Sequence, residues 1–148
     1  MKTVLIVIIA LLLAGFAFIY WQNSRVPELG HQAGQLKPLS DNPNGVSTQS
    51  TDPAKSVVPL PFKEDQASTM RAIKKAVAAY DGAEIMREEA DYLRVVFVTE
   101  KMRFRDDAEF YLDAETRQVH FRSASRAGKS DMGLNGKRYE RLTELYNR

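Results

Sequence analysis

A chain of 148 residues fits one folded domain. Its 21 Lys/Arg against 19 Asp/Glu, a net charge of +2, exclude a general nucleic-acid binder, which carries a strong basic excess. The absence of cysteine excludes disulfides and a lipidated Cys anchor, and two lone histidines, His31 and His120, exclude a zinc-type cluster.

Residues 4–21 contain no charge. With Thr3 they make a helix of roughly 28 Å at about 1.5 Å per residue, just enough to cross a bilayer core of about 30 Å. Tyr20 and Trp21 fall where an aromatic belt belongs. A cleaved signal peptide is the alternative, with Gly15-Phe16-Ala17 as its small-x-small site. The apolar run continues past Ala17 to Trp21, so residues 1–22 read as an uncleaved anchor. Lys2 flanks one end, and Arg25 and Lys37 follow the other, which leaves the positive-inside rule close to a tie. A short basic N-terminus before a long translocatable domain is the usual signal-anchor arrangement. The expected location is therefore a bacterial inner membrane, single-pass, with a periplasmic C-terminal domain.

All six prolines lie between residues 27 and 61, among Gly, Ser, Asn and Gln. That composition favours solvated chain, so residues 23–40 read as a flexible tether and 41–148 as the domain. Within the Pro-rich stretch, only 46–50 and 57–60 look able to lie against a domain.

Residues 65–80 follow helical spacing through Ala67, Met70, Ile73, Val77 and Tyr80, with Asp65 as N-cap and Asp81-Gly82 as the stop. Four strand candidates follow, at 83–88, 91–99, 102–112 and 118–124. The third alternates Met102, Phe104, Ala108, Phe110 and Leu112 against Arg103, Arg105, Asp107, Glu109 and Tyr111. The fourth turns Val119 and Phe121 inward. A second amphipathic helix, 137–147, carries Tyr139, Leu142, Leu145 and Tyr146. Short links imply an antiparallel sheet. The expected fold is α+β: a two-layer domain with a four-stranded, mainly antiparallel sheet packed by two helices.

Between the last strand and the last helix lies Arg122-Ser123-Ala124-Ser125-Arg126-Ala127-Gly128-Lys129-Ser130-Asp131-Met132-Gly133-Leu134-Asn135. A basic Gly/Ser-rich crossing from strand to helix often aims N–H groups at an anion. Arg122, Ser123, Ser125, Arg126, Lys129, Ser130 and Asn135 are thus the candidate ligand residues, for a phosphate, a carboxylate or an anionic headgroup. The Gly128-Lys129-Ser130 run lacks the preceding glycine of a Walker motif. Ser123, Ser125 and Ser130 have no base, since His120 faces the other side of its strand, so nucleophilic serine chemistry is poorly supported.

Asp106 breaks its strand's alternation by falling on the apolar face, where a carboxylate needs a fixed partner. Arg122 or Arg126 is the expected one, and Asp107 is expected on the wet face. Asp106, Asp107 and Asp131 read as structural ion-pairing groups. The alternative is a hydrolase-like or metal-dependent enzyme that uses the same three residues, with Glu109 as a further oxygen ligand. Their spacing matches no metal loop, so no metal and no cofactor is expected.

The run Arg105-Asp106-Asp107-Ala108-Glu109-Phe110, then Arg122-Ser123-Ala124-Ser125-Arg126-x-Gly128-x-Ser130-Asp131-x-Gly133-x-Asn135 and Arg138, closely resembles the family catalogued as domain of unknown function 1499. Asn44-Gly45-Val46-Ser47-Thr48 and Val58-Pro59-Leu60 resemble its opening, so the likeness covers about residues 36–148. The family often carries Asn-Cys-Val-Ser where this chain has Gly45, and no thiol role is carried over. The resemblance implies a small membrane-associated or exported protein and brings no activity with it. The functional expectation is a membrane-tethered, non-enzymatic envelope domain that binds an anionic small molecule, a lipid headgroup or a protein partner through 122–135. A purely structural envelope protein is the remaining alternative.

Overall fold

A computed structural model describes residues 1–148. The element order is α1 (Lys2–Ser24), β1 (His31–Gln32), β2 (Gln35–Leu36), β3 (Gly45–Ser47), β4 (Leu60–Pro61), α2 (Gln66–Ala78), β5 (Ala83–Glu88), β6 (Tyr92–Val98), β7 (Arg105–Asp113), β8 (Gln118–Ser125) and α3 (Leu134–Tyr146). The main sheet runs β3-β8-β7-β6-β5, every pair antiparallel, and β4 pairs with the other end of β8. The α+β class is as read from the sequence, but the sheet has six strands, not four. The two additional strands are β3, of three residues, and β4, of two, each in a proline-rich stretch and too short to display a period of two.

The inner face of the sheet carries Leu93, Val95, Phe97, Ala108, Phe110, Leu112, Val119 and Phe121. On it lie Met70, Ile73 and Val77 of α2 and Tyr139, Leu142 and Tyr146 of α3. Asp65 caps α2, its carboxylate accepting from Ser68 N at 2.6 Å. Helix α3 begins three residues earlier than its periodicity suggests, because Asp131 accepts from Gly133 N and Asn135 N and carries Gly136 into the first turn. Strand β7 begins at Arg105. Met102 and Phe104 belong instead to the loop 99–104, closed by Arg103 N donating to Thr99 O.

The outer face is polar, with Tyr92, Arg94, Asp107, Glu109, Tyr111, His120 and Arg122, and a strap of chain from 28 to 40 lies across it. Gly30 N donates to Glu109 Oε1 at 2.8 Å, and Arg122 Nε donates to Lys37 O at 2.7 Å. His31 stacks on Tyr111 at 4.2 Å, and Leu36 is buried. At Gly45 a Cβ would lie 2.6 Å from Ser123 O, so β3 approaches β8 more closely than a side chain allows.

Helix α1 is long and apolar enough to cross a membrane, about 35 Å over its 23 residues, and its apolar side chains are exposed. Its last turn is tied to the domain. Asn23, buried, donates to Arg103 O at 3.0 Å and accepts from Arg105 N at 2.7 Å.

Candidate functional site

Alternation in β7 and β8 sorts the charged residues onto two faces. Asp106 points inward, 1% exposed, beneath α3. Its partner is Arg138, 2.7 Å away, rather than Arg122 or Arg126. The correction is one of parity. In β8 the even-numbered residues face outward, so Arg122 stands across from Glu109 and cannot reach the inner face, whereas α3 lies directly over it. Arg138 also donates to Asn135 Oδ1 at 2.7 Å and lies 4.7 Å from the ring of Phe97.

Asn135 and Ser123 belong to this inner network. The Ser123 hydroxyl donates to Asn135 Oδ1. The Asn135 amide nitrogen donates to Asn44 O, Ser125 Oγ and Asp131 Oδ2 at 3.2, 3.3 and 2.8 Å. Every polar atom of Asn135 is therefore engaged, which makes it a knot joining β3, β8 and α3. Asp131 forms hydrogen bonds here and no ion pair.

Asp107 faces outward, yet it is also only 1% exposed, which corrects the expectation of a wet site. Arg94 Nη2 and Arg126 Nε each donate to it at 2.6 Å. The two guanidiniums and the strap exclude water. Glu109 is buried beside it and accepts from Tyr92 OH at 2.7 Å, Gly30 N at 2.8 Å and Arg122 Nη1 at 3.4 Å. Burial pushes the Glu109 carboxyl above its ordinary value, with Tyr92, Arg122 and Gly30 opposing. Burial also raises Tyr92, which stays a donor, and pulls Arg122 down against the opposing field of Glu109.

Asp106, Asp107 and Asp131 thus engage Arg138, the outer-face arginines and the α3 terminus respectively, and do not converge on one point. No group of three or more His, Asp or Glu side chains is placed to hold a metal ion.

The anion-type geometry lies at the end of the outer face next to α1. A cleft of about 230 Å³ is lined by Arg25, Arg122 and Arg126, with Ser40, Asn44, Ser125 and the single carboxylate of Asp107. Arg122 uses Nε and Nη1 on protein acceptors, and Arg126 uses Nε and Nη2. Nη2 of Arg122 and Nη1 of Arg126 have no protein acceptor. Arg25 makes no ion pair and rests 4.5 Å from the Trp21 ring. Of the seven residues expected to contact an anion, Arg122, Ser125 and Arg126 line this cleft. Ser123 and Asn135 lie on the inner face, and Lys129 and Ser130 are exposed on the following loop. Arg25, Ser40 and Asn44 come from chain read as tether or domain opening. The pairing of β3 with the end of β8 brings in Ser40 and Asn44, and the Asn23 tie to Arg103 and Arg105 brings in Arg25; no local motif announces either.

At the far end of the outer face, His120 Nδ1 lies 3.2 Å from Thr48 Oγ1, and Nε2 lies 4.0 Å from Asp113. Burial pulls its pKa below the ordinary 6.5, and Asp113 opposes. A histidine held neutral in the fold binds fewer protons than its unfolded form. Stability is therefore flat above about pH 6.5 and is lost as pH falls from there through the folded value. Denaturation midpoints are expected to drop as pH falls below about 6.5, and His120→Gln to flatten that drop. An identical slope in the variant would assign the loss elsewhere.

The family model described as Protein of unknown function (DUF1499) matches residues 35–145, and the chain belongs to that family. No curated protein and no solved structure matches it.

Proposed function

We propose that this family member is a membrane-tethered, non-enzymatic envelope domain that holds an oxyanion in the cleft between Arg25, Arg122 and Arg126. The observation that carries the reading is the charge balance of the cleft: three guanidiniums face one carboxylate, with two Nη groups lacking protein acceptors. Charge-assisted bonds from a rigid guanidinium fork suit phosphate or carboxylate. Ser40, Asn44 and Ser125 add neutral polar groups. In this reading residues 1–22 are an uncleaved anchor in a bacterial inner membrane, and the folded part lies on the periplasmic side.

Arg25 provides the clean test, because it is exposed and bound to no carboxylate. Full-length protein in detergent is titrated with inorganic phosphate and followed by amide chemical shifts. Phosphate is expected to move resonances around 122–126. Arg25→Gln is expected to weaken binding about ten- to a hundredfold, in keeping with about 1.5–3 kcal/mol for a hydrogen bond to a charged group, with an unchanged melting temperature. Equal affinity in the variant, or no response to phosphate, defeats the reading. Loss of the phosphate response would favour the purely structural alternative, supported by the pairing of Arg122 with Glu109 and of Arg126 with Asp107.

A further inference from the structure

We infer that the end of the domain beside α1 is a second membrane contact, which seats on anionic phospholipid headgroups through Lys101, Arg103, Arg105 and Lys129 while Met102 and Met132 enter the interface. The inference rests on reading α1 as an inserted anchor.

Attachment fixes the depth of this surface. The Tyr20 hydroxyl donates to Met102 O at 3.3 Å, and the Tyr20 and Phe104 rings lie 6.2 Å apart. Asn23 holds the backbone at Arg103 and Arg105. The loop 99–104 is therefore clamped to the last turn of the helix, level with Tyr20 and Trp21. Aromatic rings at a helix end sit at headgroup depth, so a loop bound to them sits there too. The loop after β8 shares this end: Arg126 N donates to Arg105 O at 3.0 Å, and Leu134 lines one hollow together with Thr99 and Arg103.

Charge and apolar exposure agree with that depth. Lys101, Arg103, Arg105 and Lys129 take part in none of the chain's ion pairs. Asp81 and Glu100 share a hollow with Arg103, and Asp131 is engaged in capping α3. The opposite end carries Asp91, Asp113 and Glu115 around a hollow, and Glu64 and Asp65 beside them, against Lys63 and Arg117. The domain is thus polarised, positive toward the anchor and negative away from it, the sense that an anionic surface attracts. Met132 is 91% exposed and Met102 42%. Met132 also has φ +54°, a left-handed conformation unfavourable for a side chain of its size. Ser130 Oγ and Asp131 Oδ1 hold that turn by accepting from Met132 N and Gly133 N. An apolar side chain held outward among cations suits an interface, where the thioether enters the acyl boundary and the cations meet phosphate.

The lack of native cysteine allows single-site labelling of the whole chain. An environment-sensitive fluorophore is placed at Ala10→Cys, Met132→Cys or Glu115→Cys. Each protein is reconstituted in phosphatidylcholine nanodiscs with and without phosphatidylglycerol, and spin-labelled lipid serves as quencher. With phosphatidylglycerol, probes at 10 and 132 are expected to lose most of their emission, while 115 stays bright. Lys101→Glu with Lys129→Glu is expected to restore emission at 132 and leave 10 quenched. Quenching at 10 alone overturns the seating and leaves the anchor standing. No quenching at 10 overturns both. Quenching at all three positions, or quenching at 132 indifferent to charge reversal and to phosphatidylglycerol, also overturns the anionic end-on seating.

Discussion

Asp106→Ala is expected to cost about 3–5 kcal/mol, the usual loss when one member of a buried ion pair is removed and its partner is left uncompensated. Against a domain stability of about 5–15 kcal/mol that is a large fraction. Both side chains of the pair are 2% exposed, so water cannot substitute for the missing carboxylate. Arg138 Nε already lacks a partner, so the guanidinium has no spare acceptor to turn to. Asp106→Asn keeps the shape and loses the charge, and a comparable loss would place the energy in the ion pair. Asp107→Ala is expected to cost about 2 kcal/mol, because it strands Arg94 and Arg126, which retain some contact with water. A fourth variant replaces both members of the pair, Asp106→Leu with Arg138→Met. The methionine keeps the packing against Phe97 and Tyr80, and removing both charges is expected to recover most of the loss. Urea midpoints of full-length protein in detergent, followed by the near-UV aromatic signal, give all four values. A double variant no better than Asp106→Ala would show that shape, rather than charge, is what this site supplies.

The sequence makes visible what is periodic. Strand β7 shows its parity plainly, so Asp106 stands out as a carboxylate among apolar neighbours, and α2 shows both its stripe and its cap. Partner choice is less visible. Arg122 and Arg126 are near in sequence and on the wrong face, while Arg138 is 32 residues away and on the right one. Parity alone would have rejected Arg122, since it shares a face with His120. The start of α3 was obscured by Gly136, because a glycine reads as a break until Asp131 is known to cap the preceding turn. The strap is the least legible element. It is short of apolar side chains and rich in Gly, Pro and Gln, and it is held mainly through backbone atoms, Gly30 N and Lys37 O, to which side-chain pattern is blind. The cleft inherits that difficulty, since Ser40 reaches it only because the strap lies where it does, and Arg25 only because Asn23 fastens the end of α1 to 103–105.

Removing the strap gives the second large effect expected. A fragment of residues 26–148 keeps the Gly30 and Lys37 bonds, the His31 stack and the burial of Leu36. A fragment of 41–148 loses them all. Burying one leucine contributes about 1.5–3 kcal/mol and each net hydrogen bond about 1, partly offset by the entropy of ordering the strap. The shorter fragment is expected to be less stable by about 2–4 kcal/mol on that balance. Stability alone would not distinguish strap loss from general damage, and Glu109 supplies the specific readout. In the strapped protein, burial holds its carboxyl above the ordinary value of 4.5. A raised folded value means that the native state binds the extra proton, so this contribution to stability is complete below the unfolded value and is lost as pH rises through the folded one. Once 26–40 are gone, water reaches Glu109 beside Arg122, the desolvation disappears, and its titration should fall back toward the ordinary carboxylate range. The associated loss of stability with rising pH should vanish with it. Side-chain carboxyl NMR of Glu109 in the two fragments measures this directly. A Glu109 that titrates at the same elevated pH without residues 26–40 would show that Tyr92 and the sheet itself, and not the strap, keep it dry.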